Sequence, residues 1–205
     1  MKIAVASLDQ KWERKDENLA RCAEQAVRAA GYGADLVAFP EMTLTGFTMN
    51  AQAVAEPPDD SSTIAAFKDI AREHNMHIAF GVALHGERLP QNTVVVVGRT
   101  GAELGRYAKI HPFSHADEHD HYEPGSTLVV VTVAQVGLGL TVCYDLRFPE
   151  LYTALAPSCA AILVIANWPA ARIEHWNVLL RARAIDCQCF VVGVNRTGSD
   201  AAGIE

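Results

Sequence analysis

The chain has 205 residues, 50% of them hydrophobic and 20% charged, enough to bury one sizeable core and consistent with a single domain over residues 1–205. Its 17 basic and 24 acidic residues give a formal net charge of -7. No basic stripe or aromatic-interleaved Lys/Arg cluster occurs, so nucleic acid is not an expected partner.

The opening MKIAVASLDQ has a short apolar run and no small-residue cleavage pattern. It predicts a first strand over Ile3–Leu8 rather than a secretory signal, and with it a cytoplasmic location. Leu19, Cys22, Ala23, Ala26, Val27 and Ala30 then recur at helical spacing and stop at Gly31. A strand at Leu36–Phe39 is followed by a helix carrying Ile64, Phe67 and Ala71, capped by Ser61 or Ser62. Apolar β-rich runs follow at His77–Leu84, Thr93–Gly98, Leu128–Val133, Leu138–Tyr144, Ala160–Asn167 and Phe190–Asn195. Several are continuous rather than alternating, as strands buried on both faces are. A last helix is predicted from Arg172 to Gln188, with Ile173, Trp176, Leu180, Ala184 and Cys187 on its inner side. The polar breaks EPPDDSS and HADEHDHYEPG read as loops. The longest apolar runs, 128–142 and 160–168, are interrupted or too short to cross a bilayer, so no membrane span is expected. Helices alternating with buried strands predict an α/β fold.

Cys22, Cys143, Cys159, Cys187 and Cys189 form no Cys-x-x-Cys pair, and their odd number argues for free thiols. Most should be small buried hydrophobes. Cys143 differs because it leaves the run Leu138–Val142 and passes at once into YDLRFPE, where Pro149 suits the first turn of a helix. Strand, tight turn and helix start form an elbow. Such a turn exposes the side chain at its apex and aims backbone N–H groups at what that side chain attacks, as a nucleophile and its oxyanion hole require. Two other strand ends stand out. Glu41 closes DLVAFPE, and a carboxylate at the end of a buried strand must be solvated, paired or used. Lys109 in GRYAKIHPF sits at the edge of a strand-like run, where a surface lysine is the ordinary outcome. His111, His115, His119 and His121, with Asp117 and Glu118, could hold zinc or iron, line an active site, or form a solvated loop.

FPEMTLTGF with Glu41, GRYAKIHPF with Lys109 and TVCYDLRFPE with Cys143, in that order, resemble the three catalytic motifs of the nitrilase superfamily of carbon–nitrogen hydrolases. KIAVASLDQ, ANWP, HW, RARAID and GVNRTGSD extend the similarity over nearly the whole chain. Within the superfamily, PEMTLTGFTM, FSHADEHDHY and ANWPAAR are most similar to bacterial omega-amidases, which deamidate 2-oxoglutaramate-type substrates. The resemblance implies a four-layer α-β-β-α sandwich, a small-molecule amide as substrate, no metal or organic cofactor, and a homodimer or larger homo-oligomer. Family chains normally continue past NRTGSD through at least two more strands, whereas this sequence stops at Glu205. The C-terminal strands are therefore expected to be missing.

An amide resists attack because its nitrogen leaves poorly, so the site needs a nucleophile, a proton carrier and positive charge for the oxyanion. By resemblance, Cys143 is the nucleophile and Glu41 the proton carrier. Lys109 and the backbone N–H of Tyr144 stabilise the oxyanion, and Glu118 anchors Lys109. Recognition of a distant substrate carboxylate requires a fixed cation. Arg147, on the elbow, and Arg172, after ANWPAA, both qualify. The alternatives are an ion pair with Asp145 or Glu150 for Arg147 and a capping or surface role for Arg172. Trp168 is expected to line the substrate site. The competing functions are an N-carbamoyl amine amidohydrolase or nitrilase of the same superfamily, an inactive truncated partner protein, and a histidine-based metal-dependent hydrolase.

Overall fold

In the computed structural model, which describes residues 1–200, 203 and 204, the strands separate in sequence order into two sheets. The first runs β1 (Ile3–Val5), β2 (Leu36–Ala38), β3 (His77–Leu84), β4 (Gln91–Val97), β5 (Glu103–Ala108), with β1 to β3 parallel and β4 and β5 added antiparallel. The second runs β6 (Val130–Val133), β7 (Val136–Val142), β8 (Ala161–Ala166), β9 (Phe190–Asn195), with β7 to β9 parallel. Parallel neighbours need crossovers, and helices supply them. α1 (Lys15–Gly31) precedes β2, and the short α2 (Ala51–Val54) and α3 (Ser62–Glu73) precede β3. A further short helix, α4 (Glu118–His121), lies between the sheets in sequence, while α5 (Pro149–Leu155) and α6 (Ile173–Cys187) precede β8 and β9.

The run of four valines in β4 does not alternate in hydropathy, and its packing explains why. Val94 and Val96 join Leu36, Ala38 and Ala79 against Leu138, Leu140 and Val142 of the second sheet. Val95 and Val97 point the other way, into a cluster with Cys22 and Ala26 of α1, Phe67 of α3, and Ile78 and Phe80 of β3. A strand covered on both faces has no polar side to show. Phe67 stacks on Phe80 with centroids 4.0 Å apart, and burying a side chain of that size contributes about 1.5–3 kcal/mol. Tyr152, Leu155 and Trp176 cover the outer face of the second sheet from α5 and α6. The result is a four-layer α-β-β-α sandwich with its two sheets face to face.

Several boundaries differ from the sequence expectation. β7 ends at Val142 rather than Tyr144, because Cys143 takes φ +47°, outside the extended region. β1 ends at Val5, although the Ala6 N–H still donates to Ala38 O. The buried stripe of α1 is Asn18, Cys22, Ala26 and Ala29, and Val27 is exposed. In α6, Ile173 is exposed and Trp176 and Arg183 are the buried residues. An arginine can hold an inner place because its Nε donates to Leu146 O at 3.1 Å and its guanidinium lies over the Tyr152 ring at 5.5 Å. Ser61 caps α3, its Oγ accepting the Ile64 N–H at 3.0 Å. Among the described residues no helix is long and apolar enough to cross a membrane.

Candidate active site

Glu41 stands in the turn after β2, and that turn is fixed from several sides. The Phe39 N–H donates to Ala79 O and the Thr43 N–H to Gly81 O, while the Gly81 N–H donates to Thr43 Oγ1 at 2.9 Å. Gln10 Nε2 lies 3.0, 2.8 and 3.1 Å from the carbonyl oxygens of Glu41, Met42 and Thr43. Asn167 Nδ2 donates to Glu41 O at 2.6 Å. A Cβ at position 81 would meet Met42 N at 2.3 Å, so only glycine lets this turn lie so close on β3.

β5 delivers Lys109, whose N–H donates to Asn92 O at 2.8 Å. Its Nζ lies 2.9 Å from Glu41 Oε1, and 3.1 and 2.8 Å from the two carboxylate oxygens of Glu118. Glu41 and Glu118 are wholly buried and Lys109 nearly so. Each oxygen of the two carboxylates has a donor. Asn92 Nδ2 reaches Glu41 Oε1 at 2.7 Å and Glu118 Oε1 at 2.9 Å, the Asn167 N–H reaches Glu41 Oε2 at 2.8 Å, and the Phe113 N–H reaches Glu118 Oε2 at 2.6 Å. Such saturation is what permits charges to leave water. Burial alone would push the Lys109 ammonium down, but the Glu118 and Glu41 carboxylates outweigh it and hold the group well above the ordinary lysine value. Lys109 is therefore a permanent cation near neutral pH.

Cys143 opens a 3-10 turn (Cys143–Arg147) that leads into α5 with Pro149 at its start. Its backbone is left-handed, and the turn that follows it is pinned by Asp145, which is fully buried. Asp145 Oδ2 accepts from Tyr107 Oη at 2.8 Å and from the Val142 N–H at 3.0 Å. Its Oδ1 accepts from the His111 N–H at 3.0 Å and lies 3.0 Å from His111 Nδ1. Burial and then the Glu41 carboxylate push the Cys143 thiol well above its ordinary value, with Lys109 opposing. The resting thiol keeps its proton until a base removes it. Cys22 is wholly buried in the core of the first sheet and α1, and burial likewise pushes its thiol up.

Cys143 faces a cavity of 370 Å³ walled in part by Phe113, Tyr144, Asn167, Trp168 and the two candidate arginines. The Arg147 guanidinium lies 5.0 Å from the Trp168 ring and 5.8 Å from the Tyr144 ring, with one nitrogen 3.2 Å from His175 Nδ1. Arg172 lies over the Phe113 ring at 5.5 Å, and its carbonyl oxygen accepts from Trp168 Nε1 at 2.8 Å. Among the described residues neither arginine forms an ion pair with a carboxylate, and Asp145 is occupied elsewhere. The histidines divide among separate surroundings. His111 stacks on Phe148 at 3.5 Å, His115 stacks on Phe113 at 5.7 Å, and His119 is exposed beside Asp120. No group of three metal-ligating side chains converges among the described residues.

The structure thus brings Glu41, Lys109 and Glu118 into direct contact, sets Cys143 beside them electrostatically, and lines one cavity with Tyr144, Arg147, Trp168 and Arg172. Sequence reasoning missed Asn92 and Asn167, which complete the hydrogen bonding of Glu41, and Asp145, which holds the elbow. A signal for Asn92 existed, since an amide directly ahead of TVVVV enters a strand with no solvent to meet.

Residues 2–204 match the carbon-nitrogen hydrolase family, and the chain belongs to it. It is 42% identical over 171 residues to omega-amidase YafV of Escherichia coli K12, covering 83% of this chain and 65% of that protein. It is 33% identical over 201 residues to 2-oxoglutaramate amidase of Bacillus subtilis, covering 97% of this chain and 77% of that one. The chain therefore spans 65% of the length of the former relative. Among solved structures it is similar to XC1258 of Xanthomonas campestris, a CN-hydrolase superfamily protein with an arsenic adduct in its active site. The TM-score is 0.92 at 32% identity, over 99% of this chain and 78% of that one. It is also similar to a mutant amidase from Nesterenkonia sp. AN1 in which acrylamide has added to the active-site cysteine. Here the TM-score is 0.91 at 25% identity, over 100% of this chain and 81% of that one.

Proposed function

We propose that this chain carries the active site of a thiol-dependent amidase acting on a small non-peptide amide, and that its substrate is a 2-oxoglutaramate- or 2-oxosuccinamate-type compound. The observation that carries the reading is the buried Glu41–Lys109–Glu118 cluster, acting electrostatically on a cysteine that has a left-handed backbone and lines a cavity. Glu41 takes the thiol proton as Cys143 Sγ attacks the amide carbon. The carbonyl oxygen gains the charge, which Lys109 and the Tyr144 N–H stabilise. Glu41 then gives its proton to the nitrogen, the C–N bond breaks, and ammonia leaves a thioester behind. Water, deprotonated by Glu41, attacks that thioester, and the thiol is regenerated as the acid is released.

The choice of substrate rests on the relatives named omega-amidase and 2-oxoglutaramate amidase and on the two arginines. Arg147 and Arg172 sit against aromatic rings and, among the described residues, have no ion pair with a carboxylate, in a cavity of a size suited to a small ligand. A carboxylate at the far end of the substrate would supply the missing counter-ion. The test is a panel of 2-oxoglutaramate, 2-oxosuccinamate, an N-carbamoyl amine, propionamide and a nitrile on the wild type and on Cys143→Ala. The 2-oxo amides should be preferred and Cys143→Ala should be inactive. Turnover by Cys143→Ala overturns the mechanism, and preference for the N-carbamoyl amine or the nitrile overturns the substrate. Arg147→Met or Arg172→Met should weaken hydrolysis of 2-oxoglutaramate far more than that of propionamide.

A further inference from the structure

The hydrogen bonds of Glu41 are unequal at its two oxygens. Oε1 accepts from Lys109 Nζ at 2.9 Å and from Asn92 Nδ2 at 2.7 Å, whereas Oε2 accepts from the Asn167 N–H at 2.8 Å. A carboxylate oxygen offers two in-plane lone pairs. Those of Oε1 are both taken, while Oε2, whose one donor is the N–H of a residue that lines the cavity with Cys143, keeps one open.

Asn92 achieves this at a cost to itself. Its Nδ2 has two hydrogens and spends one on Glu41 and the other on Glu118, while its own Oδ1 is buried without a partner. The amide could not be turned over, because Oδ1 would then face two carboxylate oxygens at 2.7 and 2.9 Å. A buried amide that leaves its acceptor unsatisfied in order to donate twice to acids is serving those acids rather than its own burial.

We infer that Asn92 is a positioning residue that fixes which oxygen of Glu41 carries the proton. By filling the second lone pair of Oε1 it leaves Oε2 to receive the proton from Cys143 and return it to the departing nitrogen. Without the amide, Oε1 also has an open site, and the proton is no longer confined to Oε2. The inference rests on the reading of Glu41 as proton carrier.

The two demands on that proton separate experimentally. An amide needs its nitrogen protonated to leave, whereas p-nitrophenolate leaves without a proton. Asn92→Ala and Asn92→Leu, which keeps the branched shape without a donor, are to be compared with wild type on the better amide substrate of 2-oxoglutaramate and propionamide, and on p-nitrophenyl acetate. Folding is checked by circular dichroism and thermal unfolding, and the result is scored on whichever variant folds as wild type does. The expected result is a fall in kcat for the amide of about 10²-fold or more, with KM little changed and acylation by the ester reduced less than tenfold. Equal losses on amide and ester would make Asn92 a purely structural residue and overturn the inference. Glu41→Gln measured alongside distinguishes the two levels. If it is inactive on the amide while the Asn92 variants stay within tenfold of wild type, only the role of Asn92 fails. If Glu41→Gln keeps amide turnover, the proton carrier and the inference built on it fail together.

Discussion

Gly81→Ala is a one-methyl perturbation whose consequence for Glu41 follows from distances. The added Cβ would stand 2.3 Å from Met42 N and 2.9 Å from both Cα and the carbonyl carbon of Glu41. Those neighbours are backbone, held by Gln10, Thr43 and Ala79, so no side chain can swing aside to relieve the clash. Restoring ordinary van der Waals separation requires the Glu41 turn to lift off β3 by roughly 1 Å. The Glu41 carboxylate moves with it, and its contacts of 2.7 to 2.9 Å with Asn92, Asn167 and Lys109 stretch past hydrogen-bonding range. Overpacking of this kind costs about 1–3 kcal/mol of stability, or several degrees in Tm for a domain of this size. A displacement near 1 Å in a catalytic group costs about 10² in rate. Amide hydrolysis and thermal unfolding should be measured on Gly81→Ala and on Gly98→Ala. The Cβ of the control meets only the flexible Leu104 side chain closely, at 3.2 Å. Gly98→Ala should stay near wild type in both measurements. A Gly81→Ala enzyme that unfolds several degrees lower yet keeps full kcat would refute the claim that this contact sets the position of Glu41.

Asp145→Asn leaves the elbow with an amide where a carboxylate now receives the Tyr107 hydroxyl and two backbone N–H groups. Stability should fall by on the order of 2–3 kcal/mol in denaturant unfolding, and alkylation of Cys143 by iodoacetamide should slow. Glu118→Gln should separate two properties that a general loss of structure would move together. Glu118 pushes the Cys143 thiol up, so iodoacetamide at fixed pH should react faster, while amide turnover drops because Lys109 loses its anchor. Glu56 is subject to burial, which would raise its carboxyl, but donors from Lys15, Ser61 and Thr63 hold it at about 2 against an ordinary 4.5. A depressed folded value means stability present above the unfolded value and lost as pH falls from about 4.5 toward 2. Glu56→Gln should therefore be less stable than wild type at pH 7, with the gap closing over that acid window in urea titrations.

The α/β alternation was legible because several strands, such as TVVVV, are hydrophobic without alternation, as strands buried on both faces are, whereas the four layers came from the resemblance of the motifs. The elbow was legible because strand, cysteine, charged turn and Pro149 are contiguous in sequence. What was not legible depends on register or on distance along the chain. Asn92 reaches Glu41 because β4 lies beside both β3 and β5, with Thr93 opposite Ala108, and no local pattern reports that pairing. Asn167 meets Glu41 across 126 residues of chain. Ile173 was assigned inward, and Val27 was counted in the repeat of α1, from helical spacing alone. Spacing gives the angular width of a stripe but not which rim a neighbouring sheet covers, and in α6 the hydrogen bond from Arg183 to Leu146 O helps decide the orientation.

The second buried glutamate needs a reason, since a further negative charge beside a thiol makes that thiol harder to ionise. Counted by its ion pairs, the cluster holds two carboxylates and one ammonium, a formal charge of minus one that burial should punish. In the proposed reaction that charge is never created or removed. It sits on Glu41 at rest, moves to sulfur when Glu41 takes the proton, passes to the carbonyl oxygen on attack, and returns to Glu41 when ammonia departs as a neutral molecule. Lys109 is in contact with Glu41 and acts electrostatically on Cys143, so in the proposed reaction one fixed cation serves every step, and its immobility matters more than the ease of ionising the thiol at rest. Glu118 supplies that immobility. Both of its oxygens hold Lys109 Nζ, at 3.1 and 2.8 Å, while the Phe113 N–H ties the same carboxylate to the cavity wall. Glu118 makes the resting thiol harder to ionise, but it fixes the ammonium that must meet the charge of the transition state, where preorganised charge is usually the largest single contribution to rate.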